Sequence, residues 1–542
     1  MLNSKFTSSV EKLIDNLKSV CTNFGLGGDG NEYKVITQIF LYKFMNDKFG
    51  YEIKKLDKKL LSSDNWELLI ENYKKEEYDL LLLKLDPEIA KFKKEHFISY
   101  LHNRQNEKNF AKLFDDTLLD ISLFNNEIFS VSVGDGSKVK LFDEISNFIV
   151  DSSKKNDFSI ALINQLSSFS FEKAFEEKFD FFSYIFEYLI KDYNKDGGGK
   201  YAEYFTPRSV SKIISKILID RKVENVTCYD PSAGSGTLLM SLANQIGTEK
   251  CSIFSQDISQ KSSSLLRLNL VLNNLVHSIQ NVMQENTLRK PLHKDVKGLK
   301  KFDYIVSNPP FKLNFSSYRD ELDSKENKDR FFAGIPKIPP KEVDKMPIYL
   351  LFIQHILFSL SPKGKSAIVV PTVFINSKQG IPNKIINLLI EKKILKGVVT
   401  MPSNIFATTG TSVSIIFLDK DTKDNDKVVL IDGSNLGDQI EVGNKKMTVL
   451  SKIDEEKIIN GFKKKINVDD FISVVNFKQI IDKNLALNAS HYFPLKFNQT
   501  KITQKEFEKS LMNFNKDLED ISNKKEKNIK EINKLIKGLK FE

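Results

Sequence analysis

Between Val226 and Leu418 short β-branched runs alternate with helical patterns, and this alternation restricts the fold more than any other feature of the sequence. The strand-like runs are Val226–Tyr229, Ser252–Gln256, Tyr304–Ser307, Ala367–Val370, Gly397–Thr400 and Val413–Leu418. Strands separated by helical stretches read as βαβ units around a mainly parallel sheet, so a doubly wound α/β domain is expected here. At 542 residues the chain exceeds what one core usually serves, and two or three domains are expected.

The flanks differ in character. Residues 1–170 read as mainly helical, with amphipathic spacing at Ile36, Phe40 and Phe44 and again around Leu80–Leu85. Ser130–Leu141 alternates around Gly134-Asp135-Gly136, which predicts a small hairpin. A further helical run, Phe171–Tyr193, ends at Asp196-Gly197-Gly198-Gly199, read as a helix stop and hinge. Near the end, Phe507, Leu511, Phe514, Leu518 and Ile521, then Ile532, Leu535 and Leu539, keep an alternating 4-and-3 spacing. Lys525 and Asn528 occupy the two seam positions between the sets. A heptad seam of roughly five heptads cannot bury itself alone, so this helix is expected to pack on the body or on a partner.

Composition excludes several classes. Met1–Gly25 has no apolar core ahead of a cleavage signal, so no secretory leader is expected. The most apolar stretch, Ile348–Leu360, is too short to span a bilayer and contains Gln354 and His355. A cytoplasmic, non-membrane protein is expected. Cys21, Cys228 and Cys251 lie far apart without paired spacing, so no metal site is expected. A formal charge of +10 suits a polyanionic partner. The chain is also rich in Lys, Asn and Ile throughout, which weakens that argument.

Chemistry concentrates in three places. In Tyr229-Asp230-Pro231-Ser232-Ala233-Gly234-Ser235-Gly236-Thr237 an apolar strand ends in an acid, a glycine-rich turn follows and a helix begins. Gly234 and Gly236 let the backbone turn sharply and approach a ligand closely. No lysine follows, which argues against a P-loop. One βα unit on, Asp257 ends the next strand, where an acid commonly accepts from both hydroxyls of a ribose. The bland alternative is an Asp capping the helix from Ser259. In Asp303-Tyr304-Ile305-Val306-Ser307-Asn308-Pro309-Pro310-Phe311 a buried strand delivers an amide, two prolines and an aromatic to the sheet edge. The prolines fix the backbone and remove two N–H donors. The Asn308 amide oxygen and the Pro309 carbonyl can then accept from one NH₂ group and localise its lone pair. Phe311 offers a face for stacking a base.

This pair of motifs resembles the amino-methyltransferases, the first serving the methyl donor and the second the target amine. Glu203-Tyr204-Phe205-Thr206-Pro207-Arg208 is similar to the family's third signature, which closes over the methionine end of the donor. Its place ahead of the glycine loop matches the modification subunits of type I restriction–modification systems. Further similarity runs through Phe352–Leu357, Gly364–Pro371 and Leu485–Tyr492. The resemblance implies a Rossmann-like S-adenosylmethionine-dependent fold and an adenine-specific DNA methyltransferase. Asn308, Pro309, Pro310 and Phe311 would be its catalytic residues. The donor would be held by Tyr204, Phe205, Thr206, Pro207, Asp230, Ser232, Gly234, Ser235, Gly236, Thr237, Asp257 and Asn286. Asn286 stands where relatives often carry an acid for the donor's adenine amine, and its amide is expected still to accept from that amine; Ala202 stands where glycine is frequent.

The expected division is 1–170 helical, 171–430 catalytic, 431–500 an extension and 501–542 a docking helix. The charged insert between Phe311 and Pro347, with Tyr318, Arg319 and Arg330, is a candidate lid or DNA-side loop, or else disordered. No long block remains after the motifs to read DNA sequence, and no Walker or helicase motif occurs. The resemblance therefore implies double-stranded DNA, a specificity subunit and a second copy of the chain as partners, with the presence of a motor–nuclease subunit left open. Three rivals stand beside it. A protein-glutamine methyltransferase would be shorter and lack the Tyr-Phe-Thr-Pro-Arg peptide. A scaffold would have no reason to keep a target-amine pocket. Enzymes acting on the cytosine amine more often place Ser before the prolines.

Overall fold

A computed structural model describes residues 4–28, 30–61, 65–175, 179–190, 206–406, 412–421, 427–442, 445–494 and 502–538. Its centre is an eleven-stranded sheet among the described residues. In chain order the strands are β1 (Val131–Val133), β2 (Lys138–Val139), β3 (Val226–Asp230), β4 (Cys251–Asp257), β5 (Val282–Gln284) and β6 (Phe302–Ser307). Then come β7 (Leu360–Pro371), β8 (Leu395–Thr400), β9 (Val413–Asp419), β10 (Val428–Asp432) and β11 (Ile472–Val475). Across the sheet they run β11-β10-β8-β9-β7-β6-β3-β4-β5-β1-β2.

All six strands expected from the sequence are present, five of them longer by one or two residues and the Ala367–Val370 run extended to the 12 residues of Leu360–Pro371. From β1 to β7 the pairings through β5, β4, β3 and β6 are parallel, as βαβ crossovers require. β9 departs from that rule. It lies antiparallel between β7 and β8, and every one of its residues is buried. A strand covered on both faces reads as a continuous apolar run, which is how Val413–Leu418 looks in the sequence. Strand order reverses beside β3, between β4 and β6, so the crevice outside the carboxyl ends of these strands is where an open α/β sheet takes ligands.

The hairpin expected around Gly134–Gly136 is present, with Val131 opposite Val139. It also does something its local pattern does not announce: β1 pairs in parallel with β5 and extends the sheet. Arg267, 5% exposed, fastens this junction by donating to the carbonyls of Val139 and Lys140 at 3.2 and 3.0 Å. The N-terminal helices pack around an aromatic core that includes Phe40, Phe49, Phe92, Phe97, Phe110 and Phe114. Helix Glu32–Leu56 carries Ile36, Phe40 and Phe44 into it as expected, but every residue from Ile39 to Asp47 is buried, so its middle is covered all round and not on one face alone. The Phe171–Tyr193 run is helical over Phe179–Ile190, and the Asp196–Gly199 stop lies outside the described residues. Cys21, Cys228 and Cys251 are buried free thiols.

Residues 1–492 form one compact unit and 493–542 another. The second holds helix Gln504–Gly538, all of whose side chains are exposed, including the seam from Phe507 to Leu535. Leu539 lies outside the described residues. No helix among the described residues is long and apolar enough to cross a membrane.

Candidate active site

The site is built on the carboxyl ends of four neighbouring strands, β6, β3, β4 and β5. β3 ends in Asp230, 2% exposed, whose Oδ1 accepts from Ser232 N at 2.9 Å. Burial pushes this carboxyl up to about 7, against hydrogen bonds from Ser232 and Ser307 that favour its charge. The chain then turns through Gly234 (φ +52°) and Gly236 (φ +83°) into helix Thr237–Ile246. At Gly236 only glycine fits. A Cβ there would stand 2.1 Å from Leu266 Cδ1 in a backbone conformation that other residues avoid.

β4 ends in Asp257, which braces the turn. Its Oδ2 accepts from Gly234 N at 2.9 Å, and its Oδ1 accepts from Ser259 N at 2.8 Å. The helix beyond is capped by Ser259 itself, whose hydroxyl accepts from Ser262 N. Burial raises the Asp257 carboxyl, and these N–H groups oppose the shift. Ile258, next in the chain, is 66% exposed. A large apolar side chain left open beside the acid is a feature the sequence reading passed over, and its signal was only its position after Asp257.

At the tip of β6, Ser307 is buried and its hydroxyl lies 2.6 Å from that of Ser232. This pair ties the β6 tip to the glycine turn. Asn308 follows, half-buried, and donates from Nδ2 to Thr206 Oγ1 at 3.3 Å. Among the described residues no group donates to Asn308 Oδ1 or to the Pro309 carbonyl. The two acceptors expected from the sequence are therefore unspent. Phe311 is half-buried and packs edge-on to Tyr349, with ring centroids 6.3 Å apart, and Tyr349 packs edge-on to Phe374 in the short helix Thr372–Ile375 that follows β7.

The remaining expected residues fall as follows. Ser235 is buried, and its carbonyl accepts from Asn269 Nδ2 at 3.1 Å, while its hydroxyl lies 3.4 Å from that of Thr237. Pro207 precedes helix Arg208–Leu218 as its N-cap. Asn286, beyond β5, turns its Oδ1 back to accept from Leu288 N and Arg289 N at 3.0 and 3.2 Å. The oxygen expected to accept from the donor's adenine amine is thus taken by the backbone that follows it, and what Asn286 offers outward is its NH₂. Tyr204 and Phe205 lie outside the described residues.

The insert between Phe311 and Pro347 is packed on a small core of its own. Phe315, Leu322, Phe331, Ile335 and Met346 close on Leu288, Leu351 and Phe352. Arg330 is not a surface residue as its charged surroundings suggested. It is 3% exposed and donates to the carbonyls of Leu288 and Thr287, both at 2.7 Å, and to His355 Nδ1 at 3.0 Å. Burial lowers Arg330 to about 10 and drives His355 well below its ordinary value, so the imidazole is neutral. With Nδ1 accepting, its proton sits on Nε2, 3.3 Å from the Tyr229 hydroxyl. Gln354 adds a second anchor by accepting from Ala333 N and donating to the Gly334 carbonyl. The insert is thus pinned to the Thr287–Leu288 loop and to helix Tyr349–Ser359, whose His355 lies against Tyr229 of the strand that carries Asp230. The peptide Phe352–Leu357 had shown resemblance without a role; this anchoring is what two of its residues do.

A family model described as N-6 DNA Methylase matches residues 177–532. The chain is 27% identical over 405 residues to the type I restriction enzyme MpnII methylase subunit of Mycoplasma pneumoniae, covering 72% of each chain. It is 26% identical over 418 residues to the MjaIX methylase subunit of Methanocaldococcus jannaschii, covering 74% of this chain and 71% of that one. Its fold is that of a type I restriction-modification system methyltransferase subunit from Streptococcus thermophilus, with a TM-score of 0.70 at 21% identity over 89% of this chain and 99% of the other. With the family match running over most of its length, this chain belongs to the N-6 DNA methylase family.

Proposed function

We propose that the chain transfers a methyl group from S-adenosylmethionine to the N6 amine of an adenine flipped out of double-stranded DNA. In this reading it is the modification subunit of a type I complex whose specificity subunit reads the sequence. The observation that carries it is the joining of two motifs: Asn308, its amide oxygen unspent, stands one residue from the Ser232–Ser307 contact that ties it to the Asp230 loop.

The residues fit the donor. Asp257 retains lone pairs for a ribose diol, exposed Ile258 supplies an apolar face for adenine, and Asn286 presents an NH₂ to a ring nitrogen. Thr206, Pro207, Asp230, Ser232, Gly234, Ser235, Gly236 and Thr237 complete the cradle in this assignment, with Tyr204 and Phe205 closing it. When bound, S-adenosylmethionine supplies a methyl group on a positively charged sulfur, an electrophile that needs no further activation.

The protein's own work is positioning and electrostatics. Asn308 Oδ1 and the Pro309 carbonyl accept the two hydrogens of the adenine amine. That pulls them out of the ring plane and localises a lone pair that conjugation otherwise spreads. Pro309 and Pro310 keep competing N–H donors away, and Phe311 stacks the base. Extrusion of the base costs a few kcal/mol, offset by stacking and hydrogen bonding. The nitrogen gains the methyl group and loses one proton to solvent.

In this proposal residues 501–542 dock the specificity subunit through the Phe507–Leu535 seam, which is exposed. A second copy of the chain and a motor–nuclease subunit complete the complex. The test is transfer of labelled methyl to duplex DNA by the chain co-expressed with its specificity partner. N6-methyladenine that vanishes in Asn308→Ala is the expected result. Label on cytosine or on protein would replace this reading with the corresponding rival.

A further inference from the structure

Thr206 stands on the target side of the site, not only in the donor peptide to which its sequence neighbours assign it. It is 5% exposed, and its hydroxyl oxygen accepts from Asn308 Nδ2 at 3.3 Å. An asparagine amide has two unlike ends, an acceptor and a double donor. The torsion that exchanges them is soft and two-fold, so an amide held at neither end presents NH₂ as readily as oxygen. An NH₂ turned toward the target would set donor against donor and localise nothing.

We propose that Thr206 is a positioning residue: by taking the Asn308 NH₂ it fixes the amide with Oδ1 toward the exocyclic amine of the target base. The proposal rests on the methyltransferase reading above and deepens it. Asn308 is held on one side by Thr206 and follows Ser307, itself held by Ser232 at 2.6 Å. Two hydroxyls from the donor half therefore set two consecutive residues of the target half. The acceptor for the base is an extension of the donor pocket, and its orientation depends on where the Thr206 segment sits.

The experiment uses the full chain with its specificity partner and compares wild type, Thr206→Val, Thr206→Ser and Asn308→Ala. Valine keeps the shape and removes the acceptor; serine keeps the acceptor and removes a methyl. Loss of one neutral hydrogen bond predicts a fall in kcat of about tenfold for Thr206→Val, with DNA KM within about twofold of wild type. Thr206→Ser should restore most of kcat. A second readout is binding alone, on duplexes carrying adenine or amine-free purine at the target position. The affinity ratio of the two duplexes should change in Thr206→Val and be kept in Thr206→Ser. Wild-type kcat in Thr206→Val would overturn the proposal. So would equal damage in Val and Ser, which marks a packing role, or a raised donor Kd at unchanged kcat, which marks a donor contact. Full activity in Asn308→Ala, or no methyl on DNA from wild type, would sink the parent reading and this one with it.

Discussion

Asp230 is the residue whose ionisation should be most legible in the stability of the protein. Its carboxyl is 2% exposed, and burial moves it from 3.8 to about 7. Between about pH 4 and 7 the folded chain keeps a proton on Asp230 that the unfolded chain has lost. Folded stability therefore falls as pH rises through that window, and above it the penalty is constant. At 1.36 kcal/mol per unit, a shift of roughly three units is worth about 4 kcal/mol. Asp230→Asn imitates the protonated acid: its oxygen still accepts from Ser232 N, and its NH₂ meets the hydroxyl of Ser307. The variant should be more stable than wild type by an amount that grows by roughly 1.4 kcal/mol per pH unit from pH 5 to 7 and then levels off. Asp257, raised in the same sense, is present in both proteins, and its charge contributes to the upward shift of Asp230 that the variant removes. The assay is urea unfolding of both proteins in parallel at half-unit pH steps from 5 to 8.5, followed by fluorescence. Two curves that stay parallel across the window, or a variant less stable at pH 8, would refute the reasoning.

Three further outcomes are expected. Gly236→Ala places a methyl 2.1 Å from Leu266 Cδ1 at φ +83°; it should cost about 2–4 kcal/mol, and adding Leu266→Ala should return only the packing part, both read by thermal melting. Arg330→Met leaves the carbonyls of Thr287 and Leu288 and the His355 Nδ1 without their donor; roughly 3–5 kcal/mol should be lost, with new protease cleavage inside residues 312–347, and an unchanged cleavage pattern would count against the pinning role. Leu511→Asp with Leu518→Asp, on the exposed seam, should leave donor binding by calorimetry intact and abolish co-purification with the specificity subunit.

Much of the site was readable because its residues are consecutive. Asn308–Phe311 and Asp230–Thr237 each sit where a buried β-branched run ends, and a run of that kind can only deliver its last residues to a sheet edge. The heptad seam was equally plain, since its spacing alone implies an apolar stripe with nothing in its own helix to cover it. What escaped depends on partners distant in sequence. Arg330 lies among acids and lysines and reads as solvated, yet carbonyls from Thr287 and Leu288 and the ring of His355 take three of its five N–H donors inside the protein. Thr206 reads as a donor residue because its neighbours do, and only geometry brings it to Asn308. The parallel pairing of β1 with β5 leaves no local mark at all: alternation says that a strand has two faces, not which strand it will meet.

That pairing has a consequence for anyone wishing to work with the catalytic part alone. The outer strands of the sheet come from residues 131–139 at one end and 472–475 at the other. A fragment cut to residues 171–430 keeps the motifs but strips both borders, baring β5 on one side and an incomplete β10 on the other. Each would present a row of unpaired N–H and C=O groups, the template on which one chain recruits another. Such a fragment should aggregate when expressed, whereas one running from the start of the chain to residue 494 should stay dispersed. The helical N-terminal part is thus more than a neighbour of the catalytic sheet, because it supplies the hem that keeps that sheet from growing.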